Sequence, residues 1–319
     1  MWLKLRLYLI MAVLFGIVYA LVAFVANYAG ISGFLFYGVL ASIMMLFQYM
    51  IGPKMVEWSM GVHYVSETEY PALHRMVAEL ARDAGIPKPK IGIARMPIPN
   101  AFAFGRWAKD GRVCVTEGIM NLLNEKELRA VLGHEISHLK HKDVAVITMI
   151  SVIPMICWYL AWNQLLSGDR ERGNGVLIGI VALIVYLLTN LLVLYVSRIR
   201  EYYADEGAVK LGNSPHHLAS ALYKLVYGSA RIPKESLKQV EGMKAFFAND
   251  PSRARDDIRE LSQIDLDGSG TIDMNELMAL RTRPVKVKTT DKILEMLSTH
   301  PNMLKRIQRL STLQGISAY

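Results

Sequence analysis

Apolar positions in this chain fall into two regimes. Four stretches are nearly continuous in hydrophobic residues, at about 7–29, 32–52, 144–165 and 175–197. Each is long enough to cross a bilayer, which takes ~20 apolar residues. The first is too long for the apolar part of a signal peptide and runs almost directly into the second, so it reads as a span. Pro154 interrupts the third, and Asn163 lies near its end, so a kinked or re-entrant hairpin arm is also consistent with it. Elsewhere the pattern is periodic. Residues 66–86 read as an amphipathic helix with Pro71 in its first turn, Leu73, Val77 and Leu80 on one face, and Gly85 at its C-cap. Residues 124–143 read as a second helix, opened by Asn124 with Glu127 three residues on, as in a capping box. "KIGIAR" and "GRVCVT" read as short strands around "PNAFAFG".

This organisation predicts a mainly α protein: four transmembrane helices and an α+β soluble domain with a small β-sheet. The expected boundaries are a membrane hairpin at 1–55, a first part of the soluble domain at 56–143, a second hairpin at 144–197 and the remainder at 198–319. Composition agrees, with 52% hydrophobic and 20% charged residues in 319. The formal charge of +8 comes without any aromatic-basic recognition motif, so no nucleic-acid partner is expected. Lys4, Arg6, Lys54, Lys140, Lys142, Arg198 and Arg200 flank the spans on one side, which predicts cytoplasmic termini and a cytoplasmic soluble domain against anionic lipid. Cys114 and Cys157 are isolated and offer neither a disulfide framework nor a thiolate metal site. Nothing in the sequence specifies an oligomeric state.

The stretch "VLGHEISHLKHKD" at 131–143 carries the first chemistry. Positions i and i+4 of a helix lie one turn apart on one face, so His134 and His138 can reach one metal. Glu135 can then point at a water beside that metal, as a general base does. A catalytic zinc takes a third protein ligand. His141 is displaced by ~10.5 Å of helical rise from His134, too far to converge on the same ion. The predicted second hairpin returns the chain near residue 200 to the neighbourhood of residue 140. Glu201 and Asp205 lie there at i and i+4: one as a metal ligand with the other behind an imidazole, or both as an exposed, charged helix start.

Taken together, "HEISHLKHKD", the hairpin, "SRIREYYAD", "PNAFAFGR", "RVCVTEGIMNLLNEKELRAVLGHE" and "STHPNMLKRIQRL" resemble the HtpX family of membrane zinc metalloproteases, relatives of the CAAX prenyl endopeptidases. The resemblance runs through nearly the whole chain in matching order. It implies a zincin-type, gluzincin-like domain in which His134, His138 and Glu201 hold zinc, Glu135 is the base and Asp205 supports a ligand. It further implies membrane-protein or unfolded polypeptide substrates and a role in quality control. His300 and Arg306 in the tail motif are candidates for the oxyanion, or else form a turn and a surface helix position. Asn100 and Ala101 are candidate first contacts for a substrate strand added to a sheet edge, although a hairpin packed into the core explains them equally.

A second metal motif stands apart from that family pattern. "DLDGSGTIDMNE" at 265–276 matches a calcium-loop spacing, with Asp265, Asp267, Ser269, the Thr271 carbonyl, Asp273 and Glu276 as oxygen ligands and Gly270 at the sixth position. It would form an EF-hand-like insertion over 253–283, between helices on either side. From a different class, a non-catalytic calcium-responsive membrane adaptor with a structural zinc site fits the same two motifs, but gives Glu135 no task.

Overall fold

The structure is a computed structural model and describes residues 34–166, 175–231, 254–282 and 295–313. The predicted span at 7–29 lies outside the described residues, as do the ends of the 253–283 insertion. Two compact units arise from the chain: one of residues up to Gly52 with Ala145–Ile199, the other of Pro53–Val144 with Arg200 onward.

The first unit, among the described residues, is helical. Helix α1 (Phe34–Ser59) begins in it. The helices that correspond to the third and fourth apolar stretches are α5 (Asp143–Leu166) and α6 (Gly175–Lys210). Pro154 lies within α5 and does not end it. Among the described residues, α6 is the one helix long and apolar enough to cross a membrane. Its 36 residues correspond to ~54 Å, well beyond the ~30 Å hydrocarbon core, so its last turns continue past any span. Those turns carry Glu201 and Asp205.

The second unit is built on a four-stranded sheet of β1 (Val62–Tyr64), β2 (Lys90–Ala94), β3 (Ala101–Phe104) and β4 (Arg112–Thr116), in the order β1-β2-β4-β3. β2 and β4 are parallel with Ile91 opposite Val113, and β3 runs antiparallel to β4 with Ala101 opposite Val115. The "AFAF" piece, expected as a connection between two strands, is therefore the edge strand itself. Four residues are too few to show an alternation in sequence. The β3–β4 turn needs Gly105, which has a φ of 150° and where an added Cβ would lie 2.5 Å from the Asp110 carbonyl oxygen.

Helix α2 (Pro71–Ala84) ends as expected, with Gly85 left-handed at φ 70°. Leu73, Val77 and Leu80 enter a core shared with α4 (Glu125–His141), which follows the short α3 (Glu117–Leu122), and with α7 (Pro215–Ala230). Asn124 and Glu127 close the capping box on α4 with reciprocal bonds of 3.0 Å. Glu127 also accepts from Ser220 and Lys224 on α7, pinning the two helices together.

Helices α8 (Ala254–Leu261) and α9 (Met274–Ala279) flank the 265–276 loop, and α10 (Met303–Thr312) completes the unit. The sequence pattern suggests an appended insertion, yet Leu261, Ile264, Ile272 and Leu277 belong to the same core as Leu222 and Ile307. Buried Glu260 accepts from the Asn302 side chain at 2.7 Å, and Asn302 caps α10. The helix–loop–helix is thus part of what holds α10 in place.

Two close approaches fix α4 against the end of α6. A Cβ built at Gly207 would lie 1.9 Å from Ser137 Oγ, and one at Gly133 would lie 2.5 Å from the Asn213 amide nitrogen. Gly207→Ala is expected to force the helices apart at a cost of about 1–3 kcal/mol. Because Ser137 sits between the two histidines and Gly207 follows Asp205, metal affinity should fall along with thermal stability. Metal content and a melting curve check both, and Ser137→Gly in the same chain should recover part of each.

Candidate metal centre and active site

Helix α4 places His134 and His138 one turn apart, with their Nε2 atoms facing each other at 3.1 Å. Glu201 reaches them from α6. Its carboxylate lies 3.6 Å from His134 Nε2 and 3.5 Å from His138 Nε2. Ligands at 2.0–2.1 Å around a tetrahedral zinc are ~3.3 Å apart, so these separations are those of the edges of such a site. One Glu201 oxygen faces His134 and the other faces His138, so the carboxylate bridges the gap between the two imidazoles. Two imidazoles and a carboxylate are also the donor set that suits zinc. The residues fit the ion.

The remaining imidazole nitrogens meet carboxylates. His134 Nδ1 lies 2.9 Å from Asp205 Oδ1, and His138 Nδ1 lies 2.6 Å from Asp143 Oδ2. Asp143 is absent from the sequence-based expectations. Lys142, left-handed at φ 58°, ends α4 and turns the chain so that the next residue points back at the helix it has just left. Asp143 in turn pairs with Arg200, which also donates to the His141 carbonyl at 3.1 Å. His141 itself bonds Ser137 at 3.2 Å, away from the cluster.

Arg306 is fully buried. It donates to Asp205 at 2.7 and 2.9 Å and lies 3.0 Å from Glu201. This corrects the expectation of a surface position on an amphipathic helix, because the guanidinium has no exposed area and is engaged by both acids. Burial raises the cost of the Glu201 charge, yet Arg306, with His300 and His134, more than offsets it and holds the carboxyl well below its usual range. For Asp205, burial is again outweighed, chiefly by Arg306. Burial works against a proton on His134, but its two carboxylate neighbours keep the imidazole at about 9. His138 goes the other way, down to about 4, from burial and the adjacent His134. His300 brings Nδ1 to 3.5 Å from Glu201, at the margin of the centre.

Glu135 is buried, and desolvation raises its carboxyl above the ordinary value. It accepts from the backbone N–H of Ala103 on β3. Asn100 exchanges its backbone bonds with Thr116, so the antiparallel alternation turns the main chain of Ala101 and Ala103 to the outer edge. Asn100 therefore faces β4 with its backbone, whereas the outward-facing main chain of Ala103 is what meets Glu135.

In the 265–276 loop, carboxylate oxygens of Asp265, Asp267 and Glu276 lie within 4.8 Å of one another. Gly268 and Gly270 have φ of 68° and 76°. Asp273 and Glu276 form the capping box of α9. Ser269 Oγ is bonded to Thr271, and Tyr223 donates to Asp265 at 2.9 Å.

An edge strand alongside a buried glutamate and a two-histidine, one-carboxylate cluster is the arrangement of metal-dependent peptidases. Residues 67–314 match peptidase family M48, and the chain belongs to that family. It is 58% identical to the "Protease HtpX homolog" of Methanothermobacter thermautotrophicus over 224 residues, covering 70% of this chain and 86% of that one. It is 32% identical to the homologue of Thermoplasma acidophilum over 317 residues, covering 96% and 94%. The crystal structure of S. mikatae Ste24p shares the fold, with a TM-score of 0.51 at 14% identity, over 96% of this chain and 64% of that one. The protein is a metalloprotease.

Proposed function

We propose that the protein is a membrane-bound zinc endopeptidase that hydrolyses membrane or misfolded polypeptides at the cytoplasmic face, as an agent of protein quality control. The convergence of His134, His138 and Glu201 beside Glu135 carries this reading. Its membrane part rests on the apolar length of α6, on the four apolar stretches read as spans, and on the basic residues that flank them.

Zinc, when bound by His134, His138 and Glu201, supplies Lewis acidity to a carbonyl and lowers the pKa of a water toward ~7. Asp205 and Asp143 hold the imidazoles in the tautomer that presents Nε2 to the metal. Arg306 keeps Glu201 and Asp205 ionised and fixed. Glu135 takes the proton of the attacking water and passes it to the leaving amine. The outward backbone of Ala101 and the outward carbonyl of Ala103, whose N–H is taken by Glu135, pair with an extended substrate, an interaction that selects for an unfolded chain and little for sequence. The detergent-purified protein should cleave an unfolded polypeptide such as casein, lose that activity to a zinc chelator and regain it on zinc addition. Undiminished cleavage in a preparation shown to be metal-free would refute the mechanism.

The 265–276 loop is read as a divalent-cation site, supported by the clustering of Asp265, Asp267 and Glu276 around positive-φ glycines. Since α8 and α9 brace α10, occupancy would act on stability. Calcium should raise the melting temperature of the wild type and leave Glu276→Gln unmoved; equal responses would remove the reading.

A further inference from the structure

We propose that Met55, Trp58 and Trp107, with Lys54 and Lys109, seat the second unit in the anionic headgroup layer of the bilayer and hold edge strand β3 beside it. This rests on the membrane reading above and adds to it where the substrate is met. Trp58 is 88% exposed and Trp107 51% exposed, with Met55 at 59%. Large apolar side chains left in water on two neighbouring elements need a cover. Tryptophan favours the membrane–water boundary, where its ring is apolar and its N–H stays wet.

The order of residues along α1 fits such a boundary. Leu46, Phe47 and Met50 are exposed on its earlier turns, and the exposed Lys54, Met55 and Trp58 follow. That is a passage from purely apolar to basic and aromatic within one helix. The β3–β4 turn is tied to the same place. Glu57 lies 2.8 Å from Arg112, Arg112 lies 3.0 Å from Asp110, and Asp110 lies 3.1 Å from Arg106. Arg106 in turn stands over the Trp107 ring at 5.6 Å. Val56 and Met60, on the other side of the helix, pack against Phe102 and Phe104 of β3. The end of α1 and the β3–β4 turn are therefore one ionic and apolar assembly with its tryptophans turned outward. Exposed Lys54 and Lys109 give it the charge that matches anionic lipid.

From Trp107 to Ala101 the chain covers at most ~20 Å at the rise of a strand. A polypeptide leaving the bilayer would meet the open edge of β3 within that distance, so the favoured substrates are segments next to the membrane surface.

The test uses the full chain in vesicles. Trp58→Cys and Trp107→Cys carry an environment-sensitive fluorophore, while native Cys114 and Cys157 are buried and do not compete. Asp83→Cys and Ile184→Cys serve as water and membrane controls. Headgroup-level quenchers should quench positions 58 and 107 but not 83, more strongly in anionic than in zwitterionic lipid, while quenchers placed deep in the acyl chains report on position 184. Quenching at 184 with none at 58 and 107 overturns the anchor alone; no quenching at 184 overturns the membrane reading beneath it. In the functional arm, Lys109→Glu should slow cleavage of a membrane-tethered substrate about fivefold, the effect of one basic residue at a charged surface. Cleavage of a soluble peptide should be unchanged. Equal slowing of both substrates, or of neither, contradicts the proposal.

Discussion

Glu135→Gln keeps its metal and loses peptide hydrolysis, by a factor on the order of 10²–10⁴ for removal of a positioned base. The amide is isosteric and the ligand set is untouched, so metal content and melting temperature should stay close to wild type. The pH profile supplies an independent check. Burial raises the Glu135 carboxyl, and the base works only when deprotonated. The acid limb of kcat/KM should therefore lie above ~4.3, the value of an exposed glutamate, with rate falling about tenfold per pH unit below it. A Glu135→Gln protein that binds metal normally and still cleaves its substrate would exclude this residue as the base.

Glu201→Ala should lose the metal and be the least stable of the variants considered. The substitution removes one of the three proposed ligands and also strips a partner from Arg306, which has no exposed surface at all. Breaking a buried ion pair costs about 3–5 kcal/mol, and the lower end applies because Asp205 still engages the guanidinium. Metal analysis and a melting curve read the two effects separately. Glu201→Asp, which keeps the charge but shortens the reach, should recover more of the stability than of the metal affinity. Full metal occupancy in Glu201→Ala would remove this residue from the ligand set.

Much of this arrangement could be read along the chain, and the exceptions have physical reasons. The α2 and α4 boundaries were legible because Pro71, Gly85, Asn124 and Glu127 act locally, each through its own backbone or that of a residue nearby. The approach of residue 201 to residue 134 was legible because a short-looped hairpin leaves few places for the returning chain. Asp143 was not legible, since its role depends on a left-handed lysine where glycine or asparagine is the usual signal. A carboxylate immediately after the helix end was the one clue. The burial of Arg306 was hidden for a different reason. Its partner Asp205 lies 101 residues away in sequence and Glu201 further still, and its own helix looks like an ordinary amphipathic surface segment until α8 and α9 cover it. The strand at 101–104 was missed for want of length, and it carries the open edge of the sheet.

The distance in sequence between Arg306 and its two acids has a bearing on biosynthesis. While the chain is still emerging from the ribosome, the helix with both imidazoles is complete long before the cation that neutralises Glu201 and Asp205 exists. Until then the two carboxylates lack the buried counter-charge that offsets their desolvation, so the acid end of the centre can close only after the helix that carries Arg306 has been made.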